Sequence, residues 1–331
     1  METVVSGIRP TGNLHLGNYF GMVKNSVAMM NKYNCFFFVA DYHSLTTHPH
    51  PKDLHDTVRY VVAEYLACGI DPDKCILYIQ SDVRETTELY LFLNMLAYVG
   101  ELERSTSFKE KVRSQPDNVN AGLFTYPVLM TADIILHRAN KVPVGKDQTQ
   151  HLEMTRDFAQ RFNRIYEVDY FPLPQAFSFS GELVKVPGLD GSGKMGKSEG
   201  EGNAVFLIDE PEVIRKKVMR AVTDSGPTQM NQPKPEMIQN LFTLMSLVSS
   251  PETIKHFEDR YNNCTIRYGD LKKQLAEDMI QFTSPIRERV KQFYGDTDYL
   301  HKVLSQGEEQ ARASAGKTIR EVREIIGIRK F

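Results

Sequence analysis

The sequence has few cysteines and no long apolar run, and both absences exclude classes of protein. Its 331 residues contain four cysteines, with no C-x-x-C pair and no clustered spacing: Cys35, Cys68, Cys75 and Cys264. We therefore expect reduced thiols rather than a disulfide framework, and we assign no metal-binding residues. No apolar stretch approaches the roughly 18 residues that span a bilayer, and the start METVVSGIRP lacks a charged leader followed by an apolar segment. We expect a cytoplasmic protein that contacts no membrane.

The overall charge is also small, but its distribution along the chain is uneven. A formal net charge of -2, with 41% hydrophobic and 25% charged residues, is typical of a globular protein of two or three domains. Residues 211–331 carry 20 Lys and Arg against 16 Asp and Glu, whereas residues 1–210 carry 20 against 26. The basic excess of the C-terminal part is compatible with a polyanionic partner there, and equally with solvated helix faces.

Apolar runs typical of buried strands alternate with segments of helical spacing in the first half of the chain. We expect strands around Val4 and Val5 and over residues 35–45 and 75–81, and helices from about Leu16, over residues 51–68 and over residues 86–99, where Gly100 ends the helix. This alternation predicts an α/β fold with a doubly wound parallel sheet, that is, a Rossmann-like domain. We place it at residues 1–205, with a helical insertion at about 101–140, and an all-helical domain at 206–331.

Polar residues follow several of these predicted strands. The first strand leads through a Gly- and Pro-rich turn to a helix start where His15 and Asn18 offer side-chain donors to a phosphate or an adenine ring. Asp41, Tyr42 and His43 lie at the C-terminal end of the second predicted strand, at the edge where parallel sheets bind ligands.

One carboxylate, Asp133, interrupts an otherwise apolar helical stretch beside Tyr126, Met130 and Ile134. Burying it costs several kcal/mol unless it is paired or accepts hydrogen bonds. We interpret Asp133 as a functional residue; a buried helix cap or core salt bridge is the alternative.

Residues 190–198, DGSGKMGKS, satisfy the P-loop pattern G-x-x-x-x-G-K-[ST]. A P-loop lies between a buried strand and a helix, whereas helix-breaking residues flank this segment on both sides: Pro187, Gly188, Gly200, Gly202 and Asn203. A mobile loop that carries Lys194 and Lys197 fits the segment better.

Taken together, these motifs resemble the class I aminoacyl-tRNA synthetases, and within that class the bacterial-type tryptophanyl family. TGNLHLGN at 11–18 and KMGKS at 194–198 resemble the two class signatures, His-x-Gly-His and Lys-Met-Ser-Lys-Ser. GLFTYPVLMTADIILH at 122–137, VPVGKDQTQHLEMTRD at 142–157 and AVTDS at 221–225 resemble tryptophanyl motifs. The resemblance covers essentially the whole chain. The departures are Asn18 for the second histidine, Gly196 for the central serine, and Lys146 for an acidic residue.

The resemblance implies activation of L-tryptophan with ATP and Mg²⁺, followed by transfer to tRNA(Trp), by a homodimer that binds no DNA. It implies catalytic roles for Lys194, Lys197, Ser198, His15 and Asn18. The ATP-binding residues that it implies are Arg9, Pro10, Thr11, Gly17, Asn18, Lys111, Gly145, Lys146, Asp147, Val186, Lys194, Met195, Gly196, Lys197 and Ser198. The tryptophan-binding residues are Asp133, Tyr126, Met130, Gln148, His43, Val5, Val142 and Val144. The helical domain would bind the anticodon side of the tRNA.

Three alternatives stay open from the sequence. A tyrosyl-tRNA synthetase shares both signatures and an acidic pocket residue. A catalytically silent synthetase-like regulator that binds nucleotide or RNA is suggested by Gly196 and Asn18, although both lysines are retained. A P-loop ATPase would hydrolyse ATP without amino acid or tRNA.

Overall fold

The computed structural model describes residues 1–114, 116–143, 149–177, 185–191, 193–196, 200 and 202–328. Five parallel strands form one sheet in the order β3-β2-β1-β4-β5. Their bounds are β1 Thr3–Ile8, β2 Asn34–Val39, β3 Ile76–Ile79, β4 Lys141–Pro143 and β5 Gln175–Phe177. The predicted α/β class with a parallel sheet is confirmed.

Helices cover both faces of the sheet and form most of the chain after residue 210. In order they are α1 Leu16–Asn18, α2 Lys24–Met29, α3 Asp41–Ser44, α4 Pro51–Ala67, α5 Glu85–Asn94, α6 Val99–Glu103, α7 Thr106–Ser114, α8 Ala121–Ile135, α9 Thr149–Ile165, α10 Pro211–Met219, α11 Glu236–Val248, α12 Pro251–Asn262, α13 Tyr268–Gly295 and α14 Thr297–Ile325. A π-helical turn, Tyr19–Val23, joins α1 to α2. In the described part of the chain, no helix is both long and apolar enough to cross a bilayer.

The sheet separates two hydrophobic clusters because successive side chains of a strand point to opposite faces. On β1, Val4 contributes to one cluster and Val5 to the other. On β2, Phe37 and Phe36 divide in the same way. A strand buried on both faces needs a continuous apolar run, which explains the sequence of β2.

The prediction that Gly100 ends a helix was wrong. Helix α5 ends at Asn94, and Gly100 lies inside α6. A new turn begins at Tyr98, whose carbonyl accepts hydrogen bonds from the amides of Glu101 and Leu102. This break lets the chain change direction, and Leu102 is buried in the core.

The C-terminal helix α14 lies directly on the backbone of the edge strand β3. An added Cβ at Gly307 would lie 1.8 Å from the carbonyl oxygen of Leu77. Ala311 and Ala315, one and two turns further along α14, are fully buried. Small residues on this face allow the helix to cover the sheet edge, which would otherwise expose unpaired backbone groups.

We expect Gly307→Ala to destabilise the protein by about 1–3 kcal/mol, because the new methyl group would overlap the β3 backbone. Gly316→Ala, on the same helix, is the control. Its Cβ would lie 3.6 Å from the end of the flexible Arg320 side chain. The control should gain up to about 1 kcal/mol from helix propensity. Urea unfolding of both variants measures the difference, and equal stabilities would contradict the close packing of α14 on β3.

Candidate active site

Polar groups gather where β2 and β3 end, at the carboxyl edge of the sheet. The Asp41 carboxylate, directly after β2, accepts hydrogen bonds from the amides of Tyr42 and Ser81, both at 3.0 Å. Gln80, directly after β3, accepts another from the Tyr42 amide at 3.1 Å. These bonds fix the two strand ends relative to each other, so the side chains that they carry have defined positions.

Asp133 projects from α8 into this cluster and is 4% exposed. Its Oδ2 lies 2.7 Å from His43 Nε2, and its Oδ1 accepts a hydrogen bond of 2.7 Å from Gln80 Nε2. Burial raises the pKa of the Asp133 carboxyl, and the hydrogen bonds from His43 and Gln80 oppose that rise. A carboxylate has about four acceptor positions, so each oxygen can still accept a second hydrogen bond.

Tyr126 and Arg9 lie beside this polar cluster. The rings of Tyr126 and His43 are 4.6 Å apart in an edge-to-face arrangement. Burial raises the pKa of the Tyr126 hydroxyl, while the positive charge of Arg9 lowers it, which indicates that Arg9 lies close by. Arg9 Nε and His43 Nδ1 are buried and have no hydrogen-bond partner within the described residues. A polar ligand at this position would have donors and acceptors to bind.

Three of the apolar residues predicted for the tryptophan pocket lie on the face of the sheet that is covered by α8, the helix of Asp133. Val5 and Val142 are buried in one hydrophobic cluster, and half-buried Met130 packs against it. Thus an apolar wall and the buried carboxylate of Asp133 lie on one face, as is usual in small-molecule sites.

The first signature begins α1 with a reciprocal cap. The His15 ring accepts a hydrogen bond at Nδ1 from the Asn18 amide (3.3 Å), and the Asn18 side-chain oxygen accepts one from the His15 amide (3.1 Å). Because Nδ1 accepts, the proton of the neutral ring is on Nε2. The cap therefore fixes His15 as an Nε2–H donor.

The second-signature segment contacts the first through its backbone. An added Cβ at Gly17 would lie 3.4 Å from the Met195 carbonyl oxygen and 2.8 Å from the His15 ring. Further along the chain, Leu16 donates to the Val205 carbonyl (3.0 Å) and Leu207 donates to the Leu14 carbonyl (2.8 Å). The two signatures, about 180 residues apart in sequence, are therefore neighbours.

Within the second segment, a short antiparallel bridge pairs Pro187 with Lys194, and the Met195 amide donates to the Val186 carbonyl at 2.8 Å. Met195 is fully buried, whereas Lys194 is exposed. The buried methionine anchors the segment and leaves the lysine directed to solvent. Val186 and Met195 are both among the predicted ATP-binding residues. Because one group of each is used in the bridge, an adenine would have to use the Val186 amide and the Met195 carbonyl.

The other predicted ATP residues are dispersed or lie beyond the described residues. Pro10 is buried and Thr11 is exposed in the turn after β1, Gly196 is half-buried, and Lys111 lies on α7. Seven further predicted site residues lie outside the described residues: Val144, Gly145, Lys146, Asp147, Gln148, Lys197 and Ser198.

Three supporting groups were not identified from the sequence. Gln80 binds Asp133 as described above; its position at the end of a buried strand was the available signal. Glu64, fully buried on α4, accepts the Leu14 amide with both oxygens at 2.9 and 3.0 Å. Lys217 of α10 binds the Asp209 carboxylate (2.7 Å) and the Ala204 carbonyl (3.0 Å). Glu64 and Lys217 thus hold the two backbone segments that pair with each other, residues 14–16 and 205–207, at or next to their ends.

Comparison with known proteins agrees with this geometry. The chain is 64% identical to the tryptophan–tRNA ligase of Porphyromonas gingivalis over 329 residues, which is 99% of this chain and 100% of that protein. It is 42% identical to the corresponding Helicobacter pylori ligase over 99% of both chains. The tryptophanyl-tRNA synthetase of Campylobacter jejuni, solved with ADP and tryptophan, superposes with a TM-score of 0.89 at 35% identity, covering 98% of this chain and 99% of that one.

The family model described as class I tRNA synthetases (W and Y) matches residues 2–284. With most of the sequence matched and a full-length relative at 64% identity, the chain belongs to the class I tRNA synthetase family of the tryptophan and tyrosine enzymes.

Proposed function

We propose that the protein activates L-tryptophan with ATP and transfers it to tRNA(Trp). The observation that carries the proposal is the buried Asp133 carboxylate, which lies on the same face of the sheet as Val5, Met130 and Val142 and retains acceptor capacity. An indole ring needs an apolar site with one hydrogen-bond acceptor for its N–H. A site built for that N–H rejects analogues that lack it, because the carboxylate would otherwise stay buried without this partner.

The reaction requires no protein nucleophile. The tryptophan carboxylate attacks the α-phosphorus of Mg-ATP, a P–O bond forms, and the bond to the β-phosphate oxygen breaks to release pyrophosphate. The terminal ribose hydroxyl of the tRNA then attacks the carbonyl of the adenylate, loses its proton, and AMP leaves. Catalysis consists of positioning and stabilisation of negative charge on the phosphates.

For ATP, we assign the α-phosphate to the start of α1, where His15 Nε2–H and the side-chain amide nitrogen of Asn18 are donors. We place adenine against the first helix at Gly17, where close packing against His15 and Met195 excludes any side chain. We assign Lys194, Lys197, Ser198 and Lys111 to the β- and γ-phosphates, and Asp147 to the ribose. Arg9, Pro10, Thr11, Gly145, Lys146 and Gly196 complete the proposed ATP site.

For tryptophan, we assign Asp133 to the indole N–H, and Val5, Met130, Val142 and Val144 to the ring. His43 would border the pocket beside Asp133, and Tyr126 and Gln148 would bind the ammonium and carboxylate end. The tyrosyl alternative is disfavoured because the similar full-length relatives are named tryptophan–tRNA ligases. The silent-regulator alternative is disfavoured by the retained signature lysines.

We also propose that the helical residues 206–331 contact the anticodon side of the tRNA, whose phosphates the basic excess there would attract. Residues 1–205 would then form the catalytic domain. Translation takes place in the cytoplasm of bacteria, which is the location that we propose.

We propose a homodimer whose interface includes an exposed apolar patch at the end of α5 and the start of α6. The four residues of this patch are Leu91, Met95, Tyr98 and Val99, with exposed fractions of 52%, 73%, 60% and 62%. Large apolar side chains concentrated on one surface are typical of protein interfaces.

The function is tested first by amino-acid-dependent exchange between ATP and labelled pyrophosphate. Asp133→Asn should raise the KM for tryptophan by about 100-fold, because an amide cannot accept from both His43 and Gln80 and also from the indole. The KM for ATP should change less than about threefold. Equal losses for both substrates would contradict the assignment, and exchange supported by tyrosine instead of tryptophan would contradict the function.

The second-signature loop offers a test at Gly196, where the family pattern has serine. Left-handed backbone occurs in this loop at Gly191, Gly193 and Gly200, and Gly196 is not among the described glycines of that kind. Gly196→Ser should therefore maintain or increase the rate of adenylate formation by adding a hydroxyl donor. Gly193→Ser, at φ 64°, is the matched control and should lower the rate because of backbone strain. A large loss at Gly196 would mean that the loop uses a different geometry.

The dimer is tested by charging the apolar patch. The double variant Leu91→Glu/Met95→Lys should halve the mass that light scattering measures after size-exclusion chromatography, because it places charges in a desolvated interface. Ile165→Lys, at another exposed apolar position (46% exposed), should keep the wild-type mass. A monomeric wild-type protein would refute the proposal directly.

A further inference from the structure

Gln80 is 1% exposed and makes two hydrogen bonds with opposite roles. Its Oε1 accepts from the Tyr42 amide at 3.1 Å, and its Nε2 donates to Asp133 Oδ1 at 2.7 Å. It lies directly after β3, in the turn Gln80–Asp82. Thus it bridges the end of β2 to the carboxylate on α8.

The orientation of the Gln80 amide is determined by the backbone. The Tyr42 N–H can only donate, so the side-chain oxygen of Gln80 must face it. The amide nitrogen must then face Asp133, and because that nitrogen can only donate, Oδ1 must accept. Gln80 therefore favours the ionised carboxylate of Asp133 and opposes the rise of its pKa on burial.

The second oxygen of Asp133 is oriented independently. His43 Nε2 approaches Oδ2 at 2.7 Å. With one neighbour at each oxygen, the plane of the carboxylate is fixed, and its remaining lone pairs point in defined directions. His43 alone would orient only one oxygen and would leave the carboxylate free to rotate or to bind a proton.

We propose that Gln80 is a specificity-determining positioning residue, which holds Asp133 as an oriented hydrogen-bond acceptor for the N–H of the substrate's ring. The inference rests on the proposed function and deepens it. Gln80 does not contact the reacting atoms. It acts through Asp133, so its removal should weaken the selection of substrates that carry a ring N–H more than the use of substrates that lack one.

The test compares L-tryptophan with β-(3-benzothienyl)-L-alanine, in which sulfur replaces the ring N–H at nearly the same shape. Gln80→Met removes the donor at similar length, and Gln80→Glu retains the acceptor for Tyr42 but turns a carboxylate oxygen toward Asp133. For both variants, kcat/KM for tryptophan should fall about 10- to 100-fold in pyrophosphate exchange. For the analogue it should fall less than about threefold, so the preference for tryptophan falls at least about tenfold.

Tyr78→Phe is the matched control on the same strand. Tyr78 is buried, and its hydroxyl lies 3.0 Å from His137 Nε2. The phenylalanine variant removes the buried hydroxyl that contacts His137 and keeps both hydrogen-bond partners of Asp133. It should therefore keep the wild-type preference for tryptophan. The KM for ATP, measured for all variants, reports on general damage to the domain.

Two outcomes would overturn the inference. Equal losses for tryptophan and the analogue in both Gln80 variants would mean that Gln80 only supports the fold. No loss of kcat/KM for either substrate would mean that His43 is sufficient to orient Asp133. Failure of the proposed function is a separate result, because it would appear in the wild-type protein as an absence of tryptophan-dependent exchange.

Discussion

The burial of the Asp133 carboxylate is the constraint on which the arrangement of the pocket depends. A charged group at this depth is tolerated only if neighbouring donors replace the water that it has lost. His43 and Gln80 provide those donors. They come from the ends of two adjacent strands, and the Tyr42 and Ser81 amides fix those ends around Asp41. The geometry of the pocket thus follows from the register of β2 and β3.

The second constraint is the backbone pairing of the first signature with the segment that follows the second signature. Each signature is a short segment that would have little stability alone. Residues 14–16 pair with residues 205–207, Glu64 holds the Leu14 amide, and Lys217 holds Asp209. The side chains of Lys217 and Asp209 are each only 13% exposed, so solvent screens this ion pair weakly. Helix α10 therefore stabilises the segment that connects the helical region to the second signature.

The sequence predicted the strands and helices best where an apolar pattern repeats. It predicted the site least well where its geometry depends on a single polar side chain. The apolar run of β2 predicted a strand buried on both faces, and the isolated carboxylate of Asp133 in an apolar helix indicated a special site. Gln80 carries no such pattern, because glutamine is mostly exposed in proteins and nothing in the sequence marks this one as buried. Its role depends on the register between β2 and β3 and on the position of α8, which are tertiary properties. The break of the helix before Gly100 has the same origin, since the burial of Leu102 outweighs local helix propensity.

The structure also changes the interpretation of His15 and Asn18. The sequence suggested two free donors at a helix start, whereas the structure uses one atom of each in a reciprocal cap. This use does not compete with phosphate binding. By accepting at Nδ1, the His15 ring retains its proton at Nε2, and the Asn18 side chain, which accepts through its oxygen, keeps its amide hydrogens for donation. The cap therefore selects the tautomer and the amide orientation that an anion requires before any ligand binds, which lowers the cost of organising the site.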